Sequence, residues 1–283
     1  MTSIALAANG IDYTYPGEVR ALKQLDLTIE KGQRLAILGA NGSGKTTLLL
    51  HLNGTLRPSA GRILIDGRPL SYDRRSLVAL RSRVGLVLQE PDDQLFSANV
   101  YQDVSFGPLN LGLSEAATRS RIDAALEALR ISHLRDRATH MLSFGQKKRV
   151  AIAGMLAMQP EILILDEPTA GLDPHGVNHL LSVLHRLHET GTTLVFSTHD
   201  VDLAYTWADQ IAVFADGTVL KQGEAAAMLA DRELLRTARL KMPLILEIAE
   251  ALYCRRPAWA AIGPPRSKDA LLHLLEQTIG GPQ

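Results

Sequence analysis

Short apolar runs closed by turn residues recur along the chain. Residues 34–39 (RLAILG), 62–67 (RILIDG) and 84–89 (VGLVLQ) have the length and bounds of strands. Residues 46–54 (TTLLLHLNG) predict a helix that ends near Gly54. After Gln89 the pattern loosens, and 90–112 reads as loop-rich. From Ser114 to Arg130 the residues Ile122, Leu126 and Leu129 fall at helical spacing. Strand character returns at 161–166 (EILILD), 192–197 (TTLVFS), 210–215 (QIAVFA) and 218–223 (TVLKQG), with helical stretches between. Strands alternating with helices predict an α/β fold around a largely parallel sheet. Residues 90–157 form a mostly helical insertion in it. Leu234, Leu235 and Ala238 suit a helix, Pro243 opens another through Leu252, and Ser267 caps KDALLHLLEQ. The boundaries predicted are 1–231 for the main domain and 232–283 for a helical C-terminal region, which either packs on its own chain or pairs with a second copy.

Composition narrows the class. The 283 residues are 46% hydrophobic, enough for a sizeable core, and 30 basic side chains balance 30 acidic ones. That balance gives no reason to expect a nucleic-acid partner. A single cysteine, Cys254, rules out an internal disulfide and fits a reducing compartment. The N-terminus has no signal-peptide pattern, and no stretch reaches the ~18 apolar residues of a membrane span. Membrane association would therefore run through partners.

The chemistry concentrates at strand ends. GANGSGKTT (39–47) fits G-x-x-x-x-G-K-[ST] between an apolar strand and a helix. Gly39, Ala40, Asn41, Gly42, Ser43, Gly44, Lys45, Thr46 and Thr47 would cradle a nucleotide's phosphates. Lys45 would reach the β and γ phosphates and the Thr46 hydroxyl would ligate Mg²⁺. ILILDEP (162–168) ends an apolar strand in Asp166, placed for Mg²⁺, and Glu167, placed to accept a proton from attacking water. His199 ends VFSTHD within reach of a γ-phosphate, and Gln89 ends VGLVLQ near metal or water. Tyr15 is the candidate to stack on adenine, with Tyr13 competing for the role. His175/His179 and His185/His188 have helical metal-ligand spacing, but no HExxH or cysteine accompanies them.

LSFGQKKRVAIAG (142–154) reads locally as a helix start, with Ser143 and Gln146 forming a capping box. Gly145 in a first helical turn costs roughly 0.5–1 kcal/mol relative to alanine. Close approach of a phosphate to bare backbone would account for it. The segment lies in the insertion, away from the phosphate loop, so the phosphate would belong to a second copy in a two-fold dimer.

GANGSGKTT, LSFGQ, ILILDEP, AGLD (170–173) and STHD together resemble the ATP-binding-cassette ATPases, over about residues 1–230. The resemblance implies a P-loop NTPase sheet of RecA-like core plus β subdomain. It also implies Tyr15 on adenine and Gln89 as the loop glutamine contacting Mg²⁺ and a membrane partner. Glu167 would be the catalytic base, His199 the switch histidine and Asp173 the link between the two sites of a dimer. Ser143, Phe144, Gly145 and Gln146 would form the signature acting in trans. Phe144 departs from the family, which usually has glycine there. QLFSANVYQDVSFGPLNLGL (94–113) and STHDVDLAYTWAD look like energy-coupling-factor importers, most similar to the CbiO-type ATPases of cobalt and nickel uptake. Those imply a second ATPase subunit, an integral membrane scaffold, a separate substrate-binding membrane subunit and a place on the cytoplasmic face of the membrane. A vitamin importer of the same type, a soluble cassette ATPase acting on nucleic acid or ribosomes, and a non-catalytic nucleotide switch are the rivals. The last would more naturally lack Glu167 or His199.

Overall fold

The computed structural model describes residues 3–257 and 263–279. Among them, ten strands form two sheets. An antiparallel sheet contains β1 (Ile4–Tyr15), β2 (Val19–Glu30), β4 (Ala60–Ile65) and β5 (Arg68–Pro69), in the order β2-β1-β4-β5. The second sheet contains β3 (Arg34–Leu38), β6 (Val84–Val87), β7 (Ile162–Asp166), β8 (Thr193–Thr198), β9 (Gln210–Ala215) and β10 (Thr218–Glu224). Its order is β10-β9-β3-β8-β7-β6, parallel throughout except for β10, which forms a hairpin with β9.

The helices are α1 (Lys45–Leu52), α2 (Arg74–Arg83), α3 (Val100–Asn110), α4 (Glu115–Ala128), α5 (Phe144–Met158), α6 (Pro174–Glu189), α7 (Val201–Trp207), α8 (Ala225–Ala230), α9 (Arg232–Thr237), α10 (Leu244–Arg255) and α11 (Lys268–Ile279). The parallel strands are apolar at consecutive positions because both faces are covered. In β3, Leu35 and Ile37 join the core between the two sheets, whereas Ala36 and Leu38 join the core beneath the helices.

Four elements escape the sequence pattern. β1 and β2 contain register shifts that break strict alternation. α2 carries four arginines and buries only Leu80, so it shows no apolar stripe; Asp73 starts it by accepting from Ser76 N at 3.0 Å. The expectation of loop over 90–112 is corrected: α3 occupies its second half. Asn99 caps α3, accepting from Gln102 N at 2.9 Å, and Val100 and Val104 are buried. Gly107 and Pro108 read as breakers, but Gly107 is where Met158 packs, leaving no room for a Cβ.

The C-terminal helices pack on their own chain. Tyr205 Oη of α7 donates to Pro265 O at 3.0 Å, and Arg266 Nη2 donates to Tyr205 O at 2.7 Å. Leu244 N, in the first turn of α10, donates to Asp202 Oδ1 at 2.8 Å. Leu246 and Ala249 are buried, as are Leu271 and Leu274. Between α10 and α11, residues 258–262 lie outside the described residues.

Candidate active site

Register decides which side chains meet. Leu38 pairs with Thr198, Ser197 with Asp166, and Leu165 with Val87. The four segments that leave β3, β8, β7 and β6 therefore start from one edge, the C-terminal end of parallel strands, where open α/β sheets bind ligands. There a cavity of about 640 Å³ is lined by Tyr15, residues 41–47, Gln89, Asp166 and Glu167.

The loop after β3 depends on glycine where it closes onto α1. Gly44 has φ 109°, and a Cβ there would lie 2.7 Å from Ala21 O. Lys45 Nζ folds back onto the loop, donating to Gly39 O at 2.8 Å and Ala40 O at 3.1 Å. It also lies 3.7 Å from Glu167 Oε1. Burial pushes the Lys45 ammonium below the usual lysine range, opposed by the Glu167 and Asp166 carboxylates. Thr46 Oγ1 donates to Asp166 Oδ2 at 2.6 Å, and Ser197 Oγ donates to Asp166 Oδ1. Asp166 and Glu167 are only 1% and 5% exposed.

Glu167 has φ 43°, a left-handed backbone that costs a non-glycine residue roughly 1–3 kcal/mol. Its N–H donates to Ser197 Oγ at 3.0 Å. His199 Nδ1 lies 3.0 Å from Glu167 Oε1, and a carboxylate can only accept, so the ring presents Nδ1–H to it. Tyr15 Oη and Thr47 Oγ1 share a hydrogen bond of 3.2 Å, while Tyr13 stacks edge-on between Tyr15 and His51.

Ser143–Gln146 do form the capping box. Ser143 N donates to Gln146 Oε1 at 2.9 Å, and Gln146 N to Ser143 Oγ at 3.4 Å. A Cβ on Gly145 would meet nothing closer than Leu172 at 3.4 Å, so nothing within the chain requires glycine there. The Phe144 ring covers Gly171, where φ is 74° and a Cβ would strike the ring. Asp173 caps α6, accepting from Gly176 N at 2.6 Å.

The sequence reading passed over two residues at this site. Ser197 is a polar position inside an apolar strand. Lys148 is fully buried and lies one helical turn from the buried Ala151 and Ile152, so a lysine on an apolar face was the available signal. Burial pushes its ammonium down to about 8, with Asp166, Glu90 and Glu167 opposing the shift. The paired histidines do other work: His179 Nε2 lies 3.0 Å from Ala128 O and His185 3.5 Å from Glu189. Among the described residues, no group of three or more His, Cys, Asp or Glu is placed to hold a metal ion.

The family model for ABC transporters matches residues 22–170. The chain belongs to the ABC transporter family. It is an ATP-binding-cassette ATPase with the P-loop NTPase fold. The chain is 57% identical over 271 residues to the cobalt import ATP-binding protein CbiO of Rhodobacter capsulatus, covering 96% of each chain. It is 48% identical to the energy-coupling factor transporter ATP-binding protein EcfA of Methanocaldococcus jannaschii, covering 85% of this chain and 86% of that one. The solved structure of cbiO1 from Clostridium perfringens, part of the ABC transporter complex cbiONQ, superposes with a TM-score of 0.73 at 46% identity, covering 88% of this chain and 99% of that chain. No helix among the described residues of the cassette is long and apolar enough to cross a membrane.

Proposed function

We propose that this cassette is the ATP-hydrolysing subunit of an energy-coupling-factor importer that takes up cobalt. One observation carries the chemistry: the Glu167 carboxylate sits 3.7 Å from Lys45 and 3.0 Å from His199, beside an Asp166 already bonded to the Thr46 hydroxyl. Glu167 accepts the proton of the attacking water, with His199 orienting the carboxylate and the γ-phosphate. Lys45 exchanges two loop carbonyls for the phosphate oxygens, a stronger partner for an ammonium. Thr46, Asp166 and Gln89 offer hydroxyl, carboxylate and amide oxygens, a hard donor set that fits Mg²⁺. Held by those residues, Mg²⁺ would supply neutralisation of the charge that develops on the phosphates. Tyr15 stacks on adenine after its hydroxyl leaves Thr47.

The bare backbone at Gly145, which nothing in its own chain requires, serves the nucleotide of a second copy. Ser143 and Gln146 shape that helix start, Phe144 buttresses it against Gly171, and Asp173 links the paired sites. A membrane scaffold docks beside the Gln89 segment. The support is apolar exposure: Phe96 and Phe106 stack edge-on at 4.8 Å, and Leu109 follows one turn on, at 66%, 52% and 55% exposure. The assembly includes a substrate-binding membrane subunit and places the cassette, residues 1–231, on the cytoplasmic face of the membrane.

Labelled-cobalt uptake tests this reading, in cells carrying the chain with the membrane proteins that co-purify with it. Uptake should depend on the chain and vanish with Glu167→Gln. Uptake of nickel or a vitamin instead would reassign the solute, and RNA-stimulated turnover without membrane partners would overturn the importer.

A further inference from the structure

Lys148 is buried in helix α5 and its ammonium has three main-chain partners. It donates to Gln89 O at 2.8 Å, Glu167 O at 3.1 Å and Asp166 O at 3.5 Å. Three N–H donors thus meet three carbonyls, from two segments that leave neighbouring strands. Glu167, meanwhile, keeps a left-handed backbone. The peptide before it is held through its N–H by Ser197 Oγ, and the peptide after it is held through its C=O by Lys148. Those two bonds, with the one that Glu167 O accepts from Ala170 N at 3.1 Å, fix both dihedrals of a strained residue, and with them the direction of its carboxylate. The neighbouring Lys147 pairs with Asp92 at 2.5 Å, so the start of α5 grips the Gln89 segment twice.

We propose that Lys148 is a positioning residue for ATP hydrolysis: its ammonium joins the Gln89 carbonyl to the peptide after Glu167 and sets where the Glu167 carboxylate points. A neutral side chain of similar length, such as methionine, fills the space but removes the ammonium from all three carbonyls and leaves Glu167 O with Ala170 N at 3.1 Å. Arginine keeps the charge and donors with altered reach. The inference rests on Glu167 as the base.

The test uses the full chain with MgATP, measuring turnover against ATP concentration, binding of fluorescent mant-ATP, and thermal melting. Lys148→Met should lower kcat by about 100-fold, the scale of a 1 Å misplacement at a reacting group. Nucleotide affinity should stay within about threefold, and Lys148→Arg should recover about tenfold of the lost rate. A kcat near wild type, a parallel fall of kcat and affinity, or equal loss in Met and Arg overturns the proposal. If the methionine chain does not fold, Lys148→Gln, which keeps two N–H donors, is read by the same criteria. Failure of both to fold assigns the lysine to stability alone and also overturns it. Glu167→Gln run alongside separates the two ideas. Near-normal turnover there removes Glu167 as base, whereas a near-normal Lys148→Met beside an inactive Glu167→Gln removes only the role of Lys148.

Discussion

At the N-terminal ends of β3, β6 and β7 the charges face one another as complete pairs at the surface. Arg83 donates to both Glu161 and Asp66 at 2.7 Å, and Lys31 lies 2.8 Å from Asp66. At the C-terminal ends of the same strands the charges are buried and incompletely paired. Lys45 and Lys148 donate to main-chain carbonyls, and Glu167 sits on a strained backbone. The first arrangement satisfies itself and needs nothing further. The second keeps ammonium and carboxylate groups desolvated and poised, which folding alone does not reward. Opposite ends of one sheet thus separate a cluster that contributes stability from one built to receive a charged ligand.

The largest effect expected lies at the poised end. Glu167→Gln should lower turnover by about 10²–10⁴-fold, the range of a lost general base. ATP binding should survive, because Lys45, Thr46 and Asp166 remain. Near-normal turnover in that variant would break the contrast at its strongest point. Next comes complementation. Mixed dimers of Lys45→Ala and Gly145→Glu chains keep one complete composite site, and neither homodimer keeps any. The mixture should hydrolyse ATP faster than either variant alone, and a mixture no better would count against the partner's Gly145 at the nucleotide.

A smaller effect is expected from Ser197→Ala. It removes the hydroxyl that accepts from Glu167 N and donates to Asp166, so both turnover and stability should fall, the latter by about 1–3 kcal/mol. A melting temperature unchanged from wild type would show that Ser197 is dispensable to the strained backbone.

The smallest effect belongs to the paired end. Arg83→Met should cost about 0.5–1 kcal/mol at neutral pH and leave turnover unchanged. Its pH signature is sharper. Lys31 and Arg83 hold the Asp66 carboxyl below its usual range, and Arg83 does the same for Glu161. Both carboxyls are lower in the folded chain than in the unfolded one. Their stabilisation is therefore complete above the ordinary carboxylate range near 4 and is lost as pH falls through the lowered folded values. Denaturant titrations below pH 5 should show a flatter acid limb in the Arg83→Met chain. An identical limb would mean the pairs contribute nothing.

Much of the phosphate loop was legible because its meaning is local: glycines, a lysine and a threonine at fixed spacing between an apolar strand and a helix. The capping box of Ser143 and Gln146 was legible for the same reason, as partners three residues apart on one helical turn. So were the apolar strand ending in Asp166 and Glu167 and the helix capped by Ser114. α3 was not, since Gly107 and Pro108 look like breakers until Met158 is seen packed on the glycine. Nor was the hairpin of β1 and β2, whose register shifts erase strict alternation.

Local spacing thus settled which short segments form strands, helix starts and a phosphate loop, because each depends on residues a few positions apart. Tertiary structure alone decided that β3 lies between β8 and β9, that Ser197 stands level with Asp166, and that Lys148 reaches Gln89 and Glu167. Those partners lie 31, 59 and 19 residues apart, and no local period links them. They meet because burying both faces of the sheet fixes strand order and register, and register fixes which side chains share an edge.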